Sequence, residues 1–166
     1  MTTATSSITF RELRHADRDT VLELHADLAG TDSYFRFFAP PPEDLDRVVG
    51  SIVSSDRTCC AVGAFLDDNL VGVANFVVLG DGVSAELAMV VAAGRQHHGI
   101  GTDLFHRLAE QGRARGLDRF IAEVPTNSTA MRLIVESDLP ISAHRGDGVI
   151  RIAFHLRKRS TLGVAQ

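Results

Sequence analysis

The chain has 166 residues, of which 45% are hydrophobic, and this is enough for one domain with an ordinary core. The formal net charge of -4 leaves no basic footprint, so nucleic acid is not an expected partner. Residues 1–7 have neither a positive n-region nor an apolar h-region, and no later run is long enough to span a bilayer. We therefore expect a single-domain cytoplasmic protein without membrane association.

The first half of the chain predicts a strand and then two helices. After a flexible N-terminus over residues 1–7, residues 8–13 alternate as a strand does. Asp17 is predicted to cap a helix that ends at Gly30. The proline run at residues 40–42 breaks the chain, and Pro42 is placed to start the next helix, which carries an apolar stripe.

Two β-rich runs follow, over residues 58–66 and 70–79, and the short polar link between them predicts an antiparallel hairpin. Cys59 and Cys60 are adjacent in the first of these strands. Their side chains point to opposite faces, so a disulfide between them would be strained, and no further ligands show the spacing of a metal site. Packing in the core is therefore their expected role.

The next strand, over residues 83–91, is an apolar run that keeps one acidic residue, Glu86, and its composition predicts burial on both faces. Alternation divides the side chains between two faces: Glu86, Ala88 and Val90 on one, Leu87, Met89 and Val91 on the other. A carboxylate is costly to bury unpaired, so Glu86 is either solvated in a cleft or held by a partner. A salt-bridged or edge glutamate with a structural role is the alternative to a functional one.

Residues 96–101 read Gln-His-His-Gly-Ile-Gly and lead into an amphipathic helix that begins at or near Gly99 and is closed by Gly116. The first turn of a helix leaves backbone N–H groups unpaired, and glycines remove side chains that would keep a phosphate away. The loop lacks the Lys-Ser/Thr of a P-loop and the three-glycine spacing of the dinucleotide fingerprint. It predicts a pyrophosphate-binding turn, and a tight connection without a ligand is the alternative.

Residues 117–124 predict a strand parallel to the Glu86 strand, through a right-handed crossover. A helix with Asn127 or Thr126 near its start follows, and residues 149–156 predict a last strand. The tail over residues 157–166 is expected to be disordered. The order β-α-α-β-β-β-α-β-α-β describes an α/β (α+β) domain, a mixed central sheet of six to seven strands flanked by about four helices.

The motif Gln-x-x-Gly-x-Gly between a strand and a helix resembles the pyrophosphate loop of the GCN5-related N-acetyltransferases, the GNAT family, which binds acetyl-CoA. The element order is also the GNAT order, so the resemblance covers residues 8–156. Three phrases are similar to bacterial Pat-type protein-lysine acetyltransferases: residues 34–38 (Tyr-Phe-Arg-Phe-Phe), residues 85–91 (Ala-Glu-Leu-Ala-Met-Val-Val), and Asn127 with Met131 and Leu133. The chain departs from the family at residues 138–140 and lacks a tyrosine after the second helix of the motif region.

The resemblance implies direct acetyl transfer from acetyl-CoA to an amine, with Glu86 as general base. The ε-amine of a protein lysine is the acceptor that it favours. It implies that pantetheine pairs with the strand edge near Met89 to Val91, where an N–H near Val90 polarises the thioester carbonyl. The implied cofactor-binding residues are Met89, Val90, Val91, Gln96, His97, His98, Gly99, Ile100, Gly101, Thr102, Asn127 and Met131. Asn127 has a helix cap as its alternative role.

Tyr34, Arg36 and Phe37 are candidate substrate contacts, with packing of a short helix on the sheet as the alternative. The seven histidines show no metal-binding pattern, so no metal is expected. Two other functions stay open: acetylation of a small amine such as a polyamine, an aminoglycoside or an amino acid, and non-catalytic acyl-CoA sensing. The sequence also leaves open whether the protein is a monomer or a homodimer.

Overall fold

The computed structural model describes residues 7–27, 44–92, 99–125 and 137–156. The strands in these ranges are β1 (Ile8–Glu12), β2 (Cys59–Leu66), β3 (Asn69–Val78), β4 (Ser84–Val91), β5 (Arg119–Pro125), β6 (Ile141–Gly146) and β7 (Val149–His155). The helices are α1 (Arg18–Asp27), α2 (Leu45–Ile52) and α3 (Ile100–Ala114), with a 3-10 turn at His15–Asp17 directly before α1. The predicted α/β domain is confirmed. The helix predicted after Asn127, the helix end predicted at Gly30 and the predicted terminal tail lie outside the described residues.

All seven strands form one mixed sheet in the order β1-β2-β3-β4-β5-β7-β6. Strands β1 to β4 are an antiparallel meander, β4 and β5 are parallel as predicted, and β5, β7 and β6 are again antiparallel. The predicted hairpin of β2 and β3 is confirmed. Asp67 and Asp68 at its tip have φ of 47° and 69°, the positive values that a type I′ turn requires.

One face of the sheet packs on α3, and large aromatic side chains fill this layer. The ring centroids of Phe105 and Phe154 are 4.8 Å apart, and those of Phe76 and Phe120 are 5.3 Å apart. All four rings are almost fully buried. Helix α3 therefore contacts side chains from both the β1–β4 part and the β5–β7 part of the sheet.

The opposite face is covered over only part of its width. Val21 of α1 and Val49 of α2 pack with buried residues of β2, β3 and β4, among them Val73 and Val90. Within the described ranges, this second core includes no residue of β5, β6 or β7. Among the described residues, nothing therefore covers the half of the sheet beyond β4 on the face opposite α3.

Three sequence predictions need correction. Asp17 lies in the 3-10 turn, and its carboxylate accepts hydrogen bonds from the Arg11 guanidinium at 2.7 and 2.9 Å and from the Arg14 N–H at 2.9 Å. It therefore closes that turn and binds a charged donor instead of capping α1. The N-cap of α2 is Asp44, whose side chain accepts from the Arg47 N–H at 3.0 Å, so this helix begins after Asp44 and not at Pro42.

The third correction concerns β4, which is not buried on both faces along its whole length because Glu86 is exposed. Strand β6 was also not predicted, although the total of seven strands lies within the expected range. Cys59 and Cys60 are buried and free, as expected for packing residues. None of the described helices combines the length and the apolar character that a helix needs to cross a membrane.

Candidate active site

Strands β4 and β5 pair over a short distance and then separate. Their register includes Ser84 with Arg119, Ala85 with Phe120 and Glu86 with Ile121, and it extends no further in the described residues. Strand β4 continues to Val91, still paired with β3 on its other edge. The edge of β4 that faces β5 thus has no strand partner beyond Glu86 within the described part of the chain. Such an edge can bind an extended ligand through main-chain hydrogen bonds.

Glu86 occupies the last paired position before the strands diverge. It lies between Val77 of β3 and Ile121 of β5, on the face of the sheet that α1 and α2 only partly cover. Its side chain is exposed, and among the described residues it makes no hydrogen bond or ion pair. The carboxylate is therefore solvated in the cleft between the separating ends of β4 and β5, and it can accept a proton or hydrogen bond from a ligand.

The N-terminus of α3 lies at the far end of this cleft. Gly99 has φ 77° and ψ 2°, a left-handed conformation that starts the helix without a side-chain cap on its first amides. The N–H groups of a first helical turn and the positive end of the helix dipole favour an anion. Asp103 is exposed in the same turn, where its charge also interacts with the dipole.

Close packing joins the helix start to the end of β4. A methyl group built on Gly101 would lie 3.5 Å from Met89 Sδ and 3.9 Å from Val91 Cγ2. One built on Gly72 of β3 would lie 2.9 Å from Leu104 Cδ1 and 3.3 Å from the Val90 carbonyl oxygen. From Glu86 to Val91 the strand rises about 16 Å. A narrow ligand can therefore run from the Glu86 carboxylate along the β4 edge to the helix amides.

The structure brings together eight of the residues predicted for the site: Glu86, Met89, Val90, Val91, Gly99, Ile100, Gly101 and Thr102. Met89 and Val91 are half-buried on the α3 side, and Val90 is buried on the α1/α2 side. The remaining predicted residues, Tyr34, Arg36, Phe37, Gln96, His97, His98, Asn127 and Met131, lie outside the described residues. Within the described ranges, no group of three or more His, Cys, Asp or Glu is placed to hold a metal ion.

A depression of about 380 Å³ lies on the half of the sheet beyond β4, and one of its lining residues, Ile121, pairs with Glu86. Its described lining residues are Arg119, Ile121, Ser142, Ala143, His144, Arg151, Ala153 and His155. Sequence reasoning missed these residues because β6 was not predicted. The alternation of β7, which puts Arg151, Ala153 and His155 on one face, is the signal that points to them.

The two arginines of the depression differ in how firmly they are held. Arg119 donates from Nε to Ser84 Oγ at 2.7 Å and lies 3.6 Å from Asp81. Hydrogen bonds from the Ser84 hydroxyl and from the Ser84 and Val83 amides, with Arg119 nearby, lower the pKa of Asp81 to about 2. Arg151 contacts Glu123 only at 3.9 Å, and both side chains are 58% exposed. An exposed ion pair of this kind contributes little, so Arg151 can exchange its partner.

Comparison with known proteins identifies the family. The profile of the acetyltransferase (GNAT) family matches residues 14–136, most of the chain. The chain belongs to the GNAT acetyltransferase family. This GNAT protein is therefore an acyltransferase, and the strand divergence, Glu86 and the start of α3 are its candidate active site.

Solved structures similar to this GNAT protein share its fold at low sequence identity. The GNAT domain of S. lividans PAT is 23% identical with a TM-score of 0.78, and the match covers 88% of this chain and 89% of that one. A PaiA N-acetyltransferase from Thermoplasma acidophilum in complex with coenzyme A is 18% identical, with a TM-score of 0.70 and 90% and 99% covered. YncA, a putative acetyltransferase from Salmonella typhimurium with acetyl-CoA, is 17% identical, with a TM-score of 0.70 and 93% and 97% covered. No curated protein matches the chain significantly.

Proposed function

We propose that this GNAT enzyme transfers the acetyl group of acetyl-CoA directly to the ε-amine of a protein lysine, with Glu86 as general base. The observation that carries the proposal is the position of Glu86. Its carboxylate is exposed and unpaired among the described residues at the last register before β4 and β5 separate. The cleft between β4 and β5 can hold an extended acyl donor with its acyl group near Glu86. A base at that position lies beside the amine that attacks the acyl group.

The cleft supports acetyl-CoA as the donor. The β4 edge near Met89 to Val91 offers main-chain partners for an extended pantetheine, and an N–H near Val90 is the proposed donor to the thioester oxygen. The first turn of α3, from Gly99 to Thr102, is the proposed pyrophosphate site, because its N-cap residue Gly99 has no side chain that could cap the helix in place of a ligand. The similar structures from T. acidophilum and S. typhimurium were obtained with coenzyme A and acetyl-CoA.

The chemistry of the acceptor explains why a carboxylate is needed. A lysine ammonium has a pKa of about 10.4, and it attacks a carbonyl carbon only after losing a proton. Glu86 accepts that proton, directly or through water, and the nitrogen then forms a bond to the thioester carbon. The bonded nitrogen releases its second proton to solvent, the carbon–sulfur bond breaks, and the departing thiolate takes a proton from solvent. A thiol such as that of cysteine has a pKa of about 8.5, so a thiolate can leave without a dedicated acid.

The open half of the sheet supports a protein acceptor. Ser142, Ala143 and His144 of β6 line the depression and are exposed, so the described residues leave the surface beside Glu86 as an open groove. An open groove admits a lysine that projects from a chain, whereas a small amine is best held in an enclosed acidic pocket.

The proposal is tested by incubating the enzyme and labelled acetyl-CoA with a cell lysate and with its small-molecule fraction. Mass spectrometry then identifies the molecules that have gained labelled acetyl groups. The Glu86→Gln variant should bind acetyl-CoA within about twofold of the parent and lose roughly 100-fold or more in turnover, the usual effect of a positioned base. Glu110→Gln, on the exposed side of α3, is the matched control and should behave as the parent does.

Three outcomes would contradict the proposal in different ways. Unchanged turnover of Glu86→Gln would exclude Glu86 as the base. Label confined to small amines would replace the protein acceptor with a small molecule. Binding of acetyl-CoA without transfer to any acceptor would favour a non-catalytic sensor.

A further inference from the structure

We propose that the acceptor lysine is flanked by acidic side chains, which bind in the Arg119, His144, Arg151 and His155 depression beside Glu86. This inference rests on the proposed function, because it places the acceptor lysine at Glu86. It assigns a substrate class to a surface that lies outside the acetyl-CoA cleft.

Strand register arranges the depression as a floor between two basic rows. The floor is the row that continues from Glu86 across the sheet through Ile121, Ala153 and Ser142. On one side of it Arg119 pairs with His155, and on the other side Arg151 pairs with His144. Paired residues of neighbouring strands share a face, so both rows border the same floor. A chain lying along the floor has cationic or hydrogen-bonding groups on both sides.

The charge of the depression fits an acidic segment. The described lining includes two guanidinium groups and two imidazoles and no carboxylate. The nearby acids are Glu86 at the reacting end, Asp81, which lies against Arg119, and Glu123, which lies against Arg151. The Arg151 contact with Glu123 is long and exposed, so an incoming carboxylate can replace or share it.

Strand spacing gives the distance between the lysine and the acid. Arg151 lies two strands away from Glu86 and two residues along β7 from the floor residue Ala153. Neighbouring strands are about 4.8 Å apart and residues rise about 3.3 Å, so the two Cα atoms are separated by roughly 12 Å. An extended peptide covers this distance in three to four residues. The acid is therefore expected three to four positions from the acceptor lysine.

The same surface disfavours a polycation such as a polyamine. A chain of several ammonium groups bound at Glu86 would extend its remaining charges toward Arg119 or Arg151, and like charges repel at this distance. The depression thus separates two acceptor classes that share the same reacting group.

The test uses three fluorescent peptides that are identical except at positions three and four on both sides of one central lysine. These positions carry Asp, Asn or Arg, and binding is measured by fluorescence anisotropy while acetylation is followed by mass spectrometry. The Asp peptide should bind most tightly, and its affinity should fall as salt is raised. Arg151→Gln should weaken Asp-peptide binding about three- to fivefold, as expected for loss of an exposed ion pair.

Arg145→Gln is the matched control. Arg145 is the exposed neighbour of His144 on β6, but it pairs with Ile150, whose side chain belongs to the α3 face. This variant should bind the Asp peptide as the parent does. The inference would be overturned if the Asp and Arg peptides bound equally, or if the Asp peptide did not bind at millimolar concentration. It would also be overturned if the Arg151 and Arg145 variants had equal effects, or if spermidine were acetylated faster than the Asp peptide. Preferential binding of the Asp peptide without acetylation would support the depression as a site for acidic segments while contradicting lysine acetylation.

Discussion

The left-handed conformation of Gly99 makes a sharp prediction about the start of α3. Gly99 has φ 77°, and a methyl group at this position would meet no atom within 4 Å. The effect of Gly99→Ala is therefore backbone strain without a clash. An L-residue pays about 1–2 kcal/mol in this conformation. For a chain of this length, that corresponds to a fall in melting temperature of roughly 2–8 °C.

The strain should also appear in acetyl-CoA affinity, because relieving it rotates the first amides of α3 away from their present direction. A cost of about 1.4 kcal/mol corresponds to a tenfold weaker Kd. Gly99→Asn should lose less, because asparagine tolerates the left-handed region. Calorimetry for the melting temperature and titration of acetyl-CoA for the Kd measure the two effects on the same protein.

Gly101→Ala is the contrasting variant on the same turn. Its methyl group would make ordinary contacts with Met89 and Val91, at 3.5 and 3.9 Å, and it would remove the entropic cost of a helical glycine. We expect a gain of about 0.5–1 kcal/mol and a melting temperature higher by roughly 1–4 °C. If Gly99→Ala matched the parent in melting temperature and Kd, or if both variants changed in the same direction, the reasoning would be refuted.

Two further predictions concern titrating groups away from the cleft. Hydrogen bonds from Arg11 hold the pKa of Asp17 below its usual value, so Asp17 stabilises the fold above pH about 4 and loses this contribution as pH falls through the lowered pKa. Asp17→Asn should lower the melting temperature at pH 7 by about 2–4 °C, a modest effect because the Arg11 side chain is half-exposed and solvent screens the ion pair. Thermal melts should show that the difference between the variant and the parent shrinks below pH about 4. Burial raises the pKa of Cys60 to about 11, so at pH 8 its thiolate fraction is roughly 200 times lower than that of an exposed thiol. Fast reaction of the native protein with an aromatic disulfide reagent, at the rate seen in guanidinium chloride, would contradict this.

The central part of the fold could be predicted because local signals agreed there. The apolar run around Glu86, the glycines at the start of α3 and Gly116 at its end each indicate one element, and the right-handed crossover then makes β4 and β5 parallel. Sequence also raised the two alternatives for Glu86. It could not choose between them, because the choice depends on where β5 separates from β4, which is a tertiary property.

Strand β6 escaped prediction for a physical reason. All the side chains from Ile141 to Gly146 are exposed, so neither face imposes an apolar alternation on the sequence. What holds the strand is its pairing with β7, and backbone pairing leaves no side-chain signal. The depression was missed with it. The role of Asp17 was missed because its partner Arg11 comes from the preceding strand, and cap patterns consider only residues that follow.

The short pairing of β4 with β5 makes the sheet mechanically uneven. Among the described residues, only the stretch that ends at Glu86 and Ile121 joins the two halves through backbone hydrogen bonds, and the wider attachment is the packing of α3 on both. Helix α3 therefore braces the junction between the two halves of the sheet. Phe105 packs on Phe120 and Phe154, while Leu104 lies close to Gly72. Repacking this helix would therefore change the distance between β4 and β5 beyond Glu86. The aromatic core thus sets the width of the gap proposed for the acyl donor.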